Sequence, residues 1–303
     1  MVYLEYIEQS IKWKIKMKIR FILVLSFLFI ISCNKKKEAD NYRKGEIIVA
    51  TDESFRNVAE ALTERYVAFY PETKINLKFE NENLALTDLL NDKVRVAILS
   101  RSLTENEKNL YQQKIGSPAK PARFAADALV FVVAKNSPRN SISVDEIKSE
   151  LLSKERNLIL DGVNSSNFNF IAQKFNINPK DVKCSVLKNN SEIIEKINNY
   201  PKSIGIISYN TISRKFSKEA EEYRNKVKIL SVVNNGISYE PNRENLKKMT
   251  YPFTRVLYFL SNEGYFGVGN GLIRFSCTQI GQIVVSKEGL QPYYIYNREV
   301  QMK

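Results

Sequence analysis

Two apolar runs in this chain lead straight into short polar clusters. Ile47-Ile48-Val49-Ala50 is followed by Thr51-Asp52-Glu53-Ser54, and Val94-Arg95-Val96-Ala97-Ile98-Leu99 by Ser100-Arg101. A third cluster, Ser165-Ser166-Asn167, lies between a strand pattern and a helix pattern. At such strand-to-helix turns the first N–H groups of the helix lack intrahelical acceptors, and the positive end of the helix dipole points outward. The chemistry these turns offer is anion binding. Ser54, Ser100, Ser165 and Ser166 add hydroxyl donors, and Arg101 offers a planar fork that matches two oxyanion oxygens. Asp52, Glu53 or Asp127 would supply a carboxylate that accepts a hydrogen bond from a protonated oxyanion and repels a fully deprotonated one. Plainer roles stay open for each: Ser54 as a helix N-cap, Arg101 in an ion pair, Asp127 capping backbone groups, residues 164–167 as a loop with its own cap.

None of the 303 residues is a histidine. That removes Ser–His and Cys–His dyads, histidine acid–base work and nearly all zinc catalysis. No nucleophile elbow is present either, and no carboxylates show the spacing of a catalytic pair. Binding rather than catalysis is expected, with no metal and no cofactor. The formal net charge of +13 suits an anionic partner. The lysines are scattered, however, and a composition rich in Lys, Asn and Ile explains the charge equally well. With no basic–aromatic stripe, nucleic acid is not an expected partner.

Elements of two kinds must hold these residues. Short apolar strands alternate with amphipathic helical stretches, which predicts an α/β fold with a largely parallel sheet. Residues 46–100 read as a βαβαβ unit, its first helix stopped by Pro71. A second α/β region begins with the apolar strand Ala128 to Ala134 and continues through helices at 144–152, 168–175 and 191–197 and strands at 158–160, 182–187 and 204–207. The segment from Tyr251 to Leu260 reads as a strand and Leu272 to Ser286 as one long helix. No Gly/Ser linker divides the halves, so strands crossing between them are expected, with a ligand cleft between. The division predicted is 46–127 plus 245–303 for the first lobe and 128–244 for the second.

The first 33 residues read as an export signal. A basic run (Lys12, Lys14, Lys16, Lys18, Arg20) precedes the apolar stretch Phe21 to Ile31, shorter than the ~20 residues a spanning helix needs. Ile30-Ile31-Ser32-Cys33 resembles a lipobox, which makes Cys33 the lipidation site, residues 34–45 a tether and Met17 a more ordinary start than Met1. The expected location is the cell envelope, through a lipid anchor on a periplasm-facing membrane or on the outer surface. Cys184 and Cys277 would then be the remaining thiols, expected free and buried, with a disulfide between them as the alternative.

The order of these features resembles the substrate-binding proteins of phosphate ABC importers, within the type II periplasmic-binding-protein fold, over nearly all of residues 46–290. The resemblance rests on five segments: the Ile47–Ala50 strand with its turn, Ala97-Ile98-Leu99-Ser100-Arg101-Ser102-Leu103, Ala126-Asp127-Ala128-Leu129-Val130, Ile204-Gly205-Ile206-Ile207-Ser208-Tyr209, and Tyr251-Pro252-Phe253-Thr254-Arg255-Val256-Leu257-Tyr258. It implies two lobes, each a mostly parallel sheet flanked by helices. It also implies capture of inorganic phosphate or a similar oxyanion by Asp52, Glu53, Ser54, Ser100, Arg101, Asp127, Ser165, Ser166 and Asn167. Delivery would be to an ABC permease, by a monomer. The chain departs from the family's glycine-rich turns: Thr51-Asp52-Glu53-Ser54 stands for Gly-Ser-Thr, Glu80-Asn81-Glu82-Asn83 for Gly-Ser-Gly, and Val163 to Asn167 for Gly-Ser-Gly-Thr. Glycine allows close backbone approach to a small ion, and the added carboxylates disfavour a dianion. The alternative implied is a degenerate relative acting as a sensor or partner-binding lipoprotein without oxyanion affinity.

Overall fold

Strand β1 (Lys44–Thr51) opens a computed structural model that describes residues 40–296. The export signal, Cys33 and the tether up to residue 39 lie outside the described residues. Behind β1 come α1 (Arg56–Phe69), β2 (Glu72–Phe79), α2 (Glu82–Leu90), β3 (Val96–Leu99), α3 (Glu105–Ile115) and β4 (Ala122–Ala134). The middle of the chain holds β5 (Ser141–Ser143), α4 (Val144–Leu152), β6 (Leu158–Leu160), α5 (Ser166–Phe175), β7 (Ser185–Val186), α6 (Asn190–Lys196) and β8 (Ile204–Ser208). Then follow α7 (Asn210–Ser213), α8 (Lys218–Lys226), β9 (Val227–Ile229), β10 (Ser231–Asn234), β11 (Ile237–Tyr239) and α9 (Arg243–Lys247). The last elements are β12 (Thr254–Ser261), α10 (Val268–Ser276), α11 (Gln279–Lys287) and β13 (Gln291–Pro292).

The fold is the α/β architecture expected. One sheet runs in the order β2-β1-β3-β12-β4-β8-β6-β7. β1 is parallel to β2 and β3, and β6 is parallel to β8, while β12 and β4 run against their neighbours. The long strand β4 joins the two halves. Ala122 to Ala128 pair with β12, and Leu129 to Val132 pair with β8. From Phe124 onward β4 is buried on both faces, as a run that is apolar apart from Asp127 requires. Side-chain alternation divides the interior. Val96 and Ile98 of β3 enter one core with Val58, Leu62 and Leu272, while Ala97 and Leu99 enter another with Leu86 and Leu89. β4 does the same in the second half: Phe131 and Val133 on one side, Val130 and Val132 on the other.

Several boundaries differ from the sequence reading. Residues 40–45 are not tether: Tyr42 packs its ring on Tyr70 and Phe266, and β1 already begins at Lys44. The long helix expected over 272–286 is two helices. Thr278 caps the second, and Gly281 packs so closely on Phe275 and Ser276 that a Cβ would lie 2.4 Å from the Phe275 carbonyl. The 182–187 strand shrinks to two exposed residues at a sheet edge. The returning segment stays with the second half beyond residue 245, because Leu246, Tyr251 and Phe253 pack in its core; it pairs with the first half from Thr254 onward. Cys184 and Cys277 are free thiols as expected, but each is only partly buried. Among the described residues no helix is long and apolar enough to cross a membrane.

Candidate functional site

The carboxyl ends of β1, β3 and β6 and the end of β8 meet where the two halves of the sheet adjoin, the usual ligand position in parallel α/β sheets. β1 ends in Thr51, and Asp52 then turns the chain with extended geometry into the short 3-10 turn Glu53–Phe55. The Asp52 carboxylate faces two N–H groups. Oδ1 accepts from Ser54 N at 3.0 Å and Oδ2 from Ser166 N at 2.9 Å. Ser166 is the first residue of α5, so its N–H is one of the unpaired donors of a helix start. Asp52 therefore bridges the two halves, its own oxygen accepting from a helix-start N–H of the kind that binds anions.

A second carboxylate does the same nearby. Glu82, the first residue of α2, is completely buried. Its Oε1 accepts from Ser100 N at 2.6 Å and Ser100 Oγ at 2.8 Å. Its Oε2 accepts from Arg101 Nε and from Asn169 Nδ2, both at 3.0 Å. Burial pushes the Glu82 carboxyl upward against the pull of Arg101 and these donors. Arg101 in turn has all five N–H groups engaged. Besides Glu82, Nη1 meets Glu107 Oε2 at 2.8 Å and Ser102 O at 3.2 Å, and Nη2 meets Glu107 Oε1 at 2.8 Å and Asn83 Oδ1 at 3.2 Å. The bidentate fork is present, turned onto Glu107.

Asp161, just after β6, completes the layer. Its oxygens accept from Ser165 Oγ at 2.6 Å, Asn167 Nδ2 at 2.8 Å and Ser54 Oγ at 3.3 Å. Burial and the adjacent Asp52 charge push its carboxyl up to about 7. Asn190 and Asn210 then tie the second half to Ser54, through its hydroxyl and its carbonyl respectively. Asp127 lies beneath, fully buried. It accepts from Arg255 Nε at 3.1 Å and Nη2 at 2.8 Å, Ser208 Oγ at 2.7 Å and Asn210 N at 3.0 Å. The Arg255 guanidinium stacks near the Phe55 ring and reaches Ser100 Oγ with Nη1 at 3.4 Å.

Eight of the nine residues singled out from sequence (Asp52, Ser54, Ser100, Arg101, Asp127, Ser165, Ser166 and Asn167) thus gather in one buried polar layer. Glu53 does not: it is exposed and pairs with Arg56 at 2.7 Å. Glu82, Asp161, Asn169, Asn190, Asn210 and Arg255 were not singled out. Arg255 sat in a quoted motif, and a lone cation inside an apolar strand that must be buried was a usable signal. No group of three or more His, Cys, Asp or Glu residues that could hold a metal ion occurs among the described residues.

A family model for the PBP superfamily domain matches residues 36–278. The chain belongs to the PBP superfamily. A phosphate-binding protein PstS of Borreliella burgdorferi is 25% identical to this PBP superfamily member over 288 residues, covering 88% of this chain and 97% of that one. In structure it is similar to a phosphate ABC transporter substrate-binding protein with bound phosphate from Clostridium perfringens (TM-score 0.67, 18% identity, 82% of this chain and 100% of that chain). It is also similar to an ABC-type phosphate transport receptor from Vibrio cholerae (TM-score 0.64, 18% identity, 82% and 100%).

Proposed function

We propose that this PBP superfamily member is an extracytoplasmic solute-binding lipoprotein that captures phosphate or a related small oxyanion between its halves for an ABC importer. It would act as a monomer held to the cell envelope by a lipid on Cys33, and perform no chemistry. One observation carries the reading: N–H and O–H donors from both halves converge on buried oxygens of oxyanion type, those of Asp52 and Glu82. A site that already coordinates carboxylates offers the donor set a tetrahedral oxyanion needs. The relatives named for phosphate binding support the same solute class.

The test is calorimetric titration of phosphate, sulfate and molybdate into detergent-purified protein freed of co-purified ligand by unfolding and refolding. Micromolar or tighter binding of one of them is expected. No heat and no thermal shift with any of the three would remove the reading.

A second reading has its own observation. With every N–H of Arg101 engaged by protein groups, the cleft is complete without a ligand. That arrangement suits a binding-protein relative that has become a sensor or partner-binding lipoprotein. The same silent titration would favour it.

A further inference from the structure

Four donors hold Glu82, and they come from different places. Ser100 supplies a main-chain N–H and a hydroxyl, Arg101 supplies Nε, and Asn169 reaches over from α5 in the second half. This is the coordination expected of a captured anion, delivered to a side chain. Asp52 fills the neighbouring seat, between the N–H groups of Ser54 and Ser166. Charge makes simultaneous occupancy unfavourable. The layer holds five carboxyl groups (Asp52, Glu82, Glu107, Asp127 and Asp161) against the guanidiniums of Arg101 and Arg255. An added dianion would meet net negative charge with most donors already used.

We infer that the Glu82 carboxylate is a tethered stand-in for the ligand, filling the Ser100–Arg101 seat in the empty protein and leaving it when an oxyanion enters. This rests on the oxyanion reading above and deepens it. Binding is then an exchange of one oxyanion for another on the same donors. Apparent affinity is reduced by the fraction of molecules in which Glu82 keeps the seat, so Glu82 sets affinity without touching bound ligand. Local structure permits the exchange. α2 is capped independently, by Asn81 Oδ1 accepting from Leu84 N at 3.0 Å, so its start does not depend on the Glu82 side chain. A groove of about 790 Å³ lined by Asn83, Arg101, Glu107 and Asn169 opens beside the seat and gives a displaced carboxylate access to water.

The test compares the wild-type protein with Glu82→Ser and Glu82→Gln, each checked for folding by circular dichroism and melting, with inorganic phosphate and sulfate titrated separately. Serine removes the competing carboxylate; glutamine keeps its shape but presents an NH₂ to a seat made of donors. At least tenfold tighter binding of one anion by Glu82→Ser, with a smaller gain for Glu82→Gln, is expected. A silent wild type beside a binding Glu82→Ser would show that Glu82 never yields the seat in the native protein, and would overturn the exchange along with the oxyanion reading. If Glu82→Ser does not fold, tighter binding by Glu82→Gln takes its place. Wild-type binding that the variants leave unchanged or weaken overturns the stand-in role and leaves the oxyanion reading intact. Silence from all three proteins overturns both.

Discussion

Removing Arg255 tests the idea that one buried ion pair holds the crossing strands together. Arg255 and Asp127 are both fully buried and lie on the paired strands β12 and β4. Arg255→Met keeps most of the apolar stem and deletes two charge-assisted bonds to Asp127 Oδ2. It leaves the Asp127 carboxylate with the Ser208 hydroxyl and the Asn210 N–H, but with no counter-charge in contact. Breaking a buried pair by removing one partner costs about 3–5 kcal/mol, mostly because a desolvated charge is left behind. The expected loss for Arg255→Met is therefore about 3–4 kcal/mol, toward the lower end because two donors remain. The double variant Arg255→Met with Asp127→Asn deletes the stranded charge while keeping an acceptor for Ser208 or Asn210. It should recover about 2 kcal/mol of the loss. Urea unfolding of the four corners of this cycle, with m held constant, measures both quantities. A double variant no more stable than Arg255→Met would refute the stranded-charge reasoning. A single-variant loss below about 1 kcal/mol would show that the pair does not hold the strands.

Two further outcomes follow from burial. Asp161 is raised from 3.8 to about 7 in the folded protein, so between those values the native state keeps a proton that the unfolded chain has released. Its contribution to stability is fully present below about 4 and is lost as pH rises through about 7, a change of at most about 4 kcal/mol. Asp161→Asn should flatten this part of the stability–pH curve, and urea midpoints at pH 5 and pH 8 that fall equally in both proteins would contradict it. Burial likewise pushes the Cys277 thiol up to about 11. At pH 8 its alkylation by iodoacetamide should be at least tenfold slower than that of free cysteine and should accelerate in denaturant; equal rates in the folded and unfolded protein would exclude burial as the cause.

Much of the frame was legible because burial writes itself into strands as unbroken apolar runs. β3 is such a run, β4 is one from Phe124 apart from Asp127, and β1 and β8 carry the shorter runs 47–50 and 204–207; the parallel β1, β2 and β3 follow from the spacing between them. Elements defined by caps and turns rather than by apolar period were missed. α3 buries only Tyr111, so its periodicity is faint, yet Thr104 and Glu107 form a capping box and Gly116 closes it in the left-handed conformation. The β10–β11 hairpin was announced only by Asn235-Gly236, both at positive φ. α8 is almost wholly polar, with Ser217 as its cap, and offers a period search little to find.

The site was half legible for a related reason. Donors advertise themselves at strand ends, so Ser54, Ser100, Arg101, Ser165 and Ser166 stood out from position together with the resemblance, and they lie in one buried layer. What the donors bind does not follow from position. Glu80-Asn81-Glu82-Asn83 reads locally as a polar turn with an acid in the first turn of a helix, where the helix dipole favours it. Nothing within the segment says that Glu82 points inward while Asn81 caps; only the arrival of Ser100 and Arg101 at the end of β3 and of Asn169 from α5 makes the interior the better place for its charge. On the stand-in proposal, the glycine-poor turns and their carboxylates are two sides of one arrangement. Where glycines would let main chain approach a free ion, side-chain carboxylates bring the oxyanion with them. Under the stand-in role proposed for Glu82, glycine-poor turns do not count against oxyanion capture, because the donors of Ser54, Ser100, Arg101 and Ser166 are present and engaged by carboxylates.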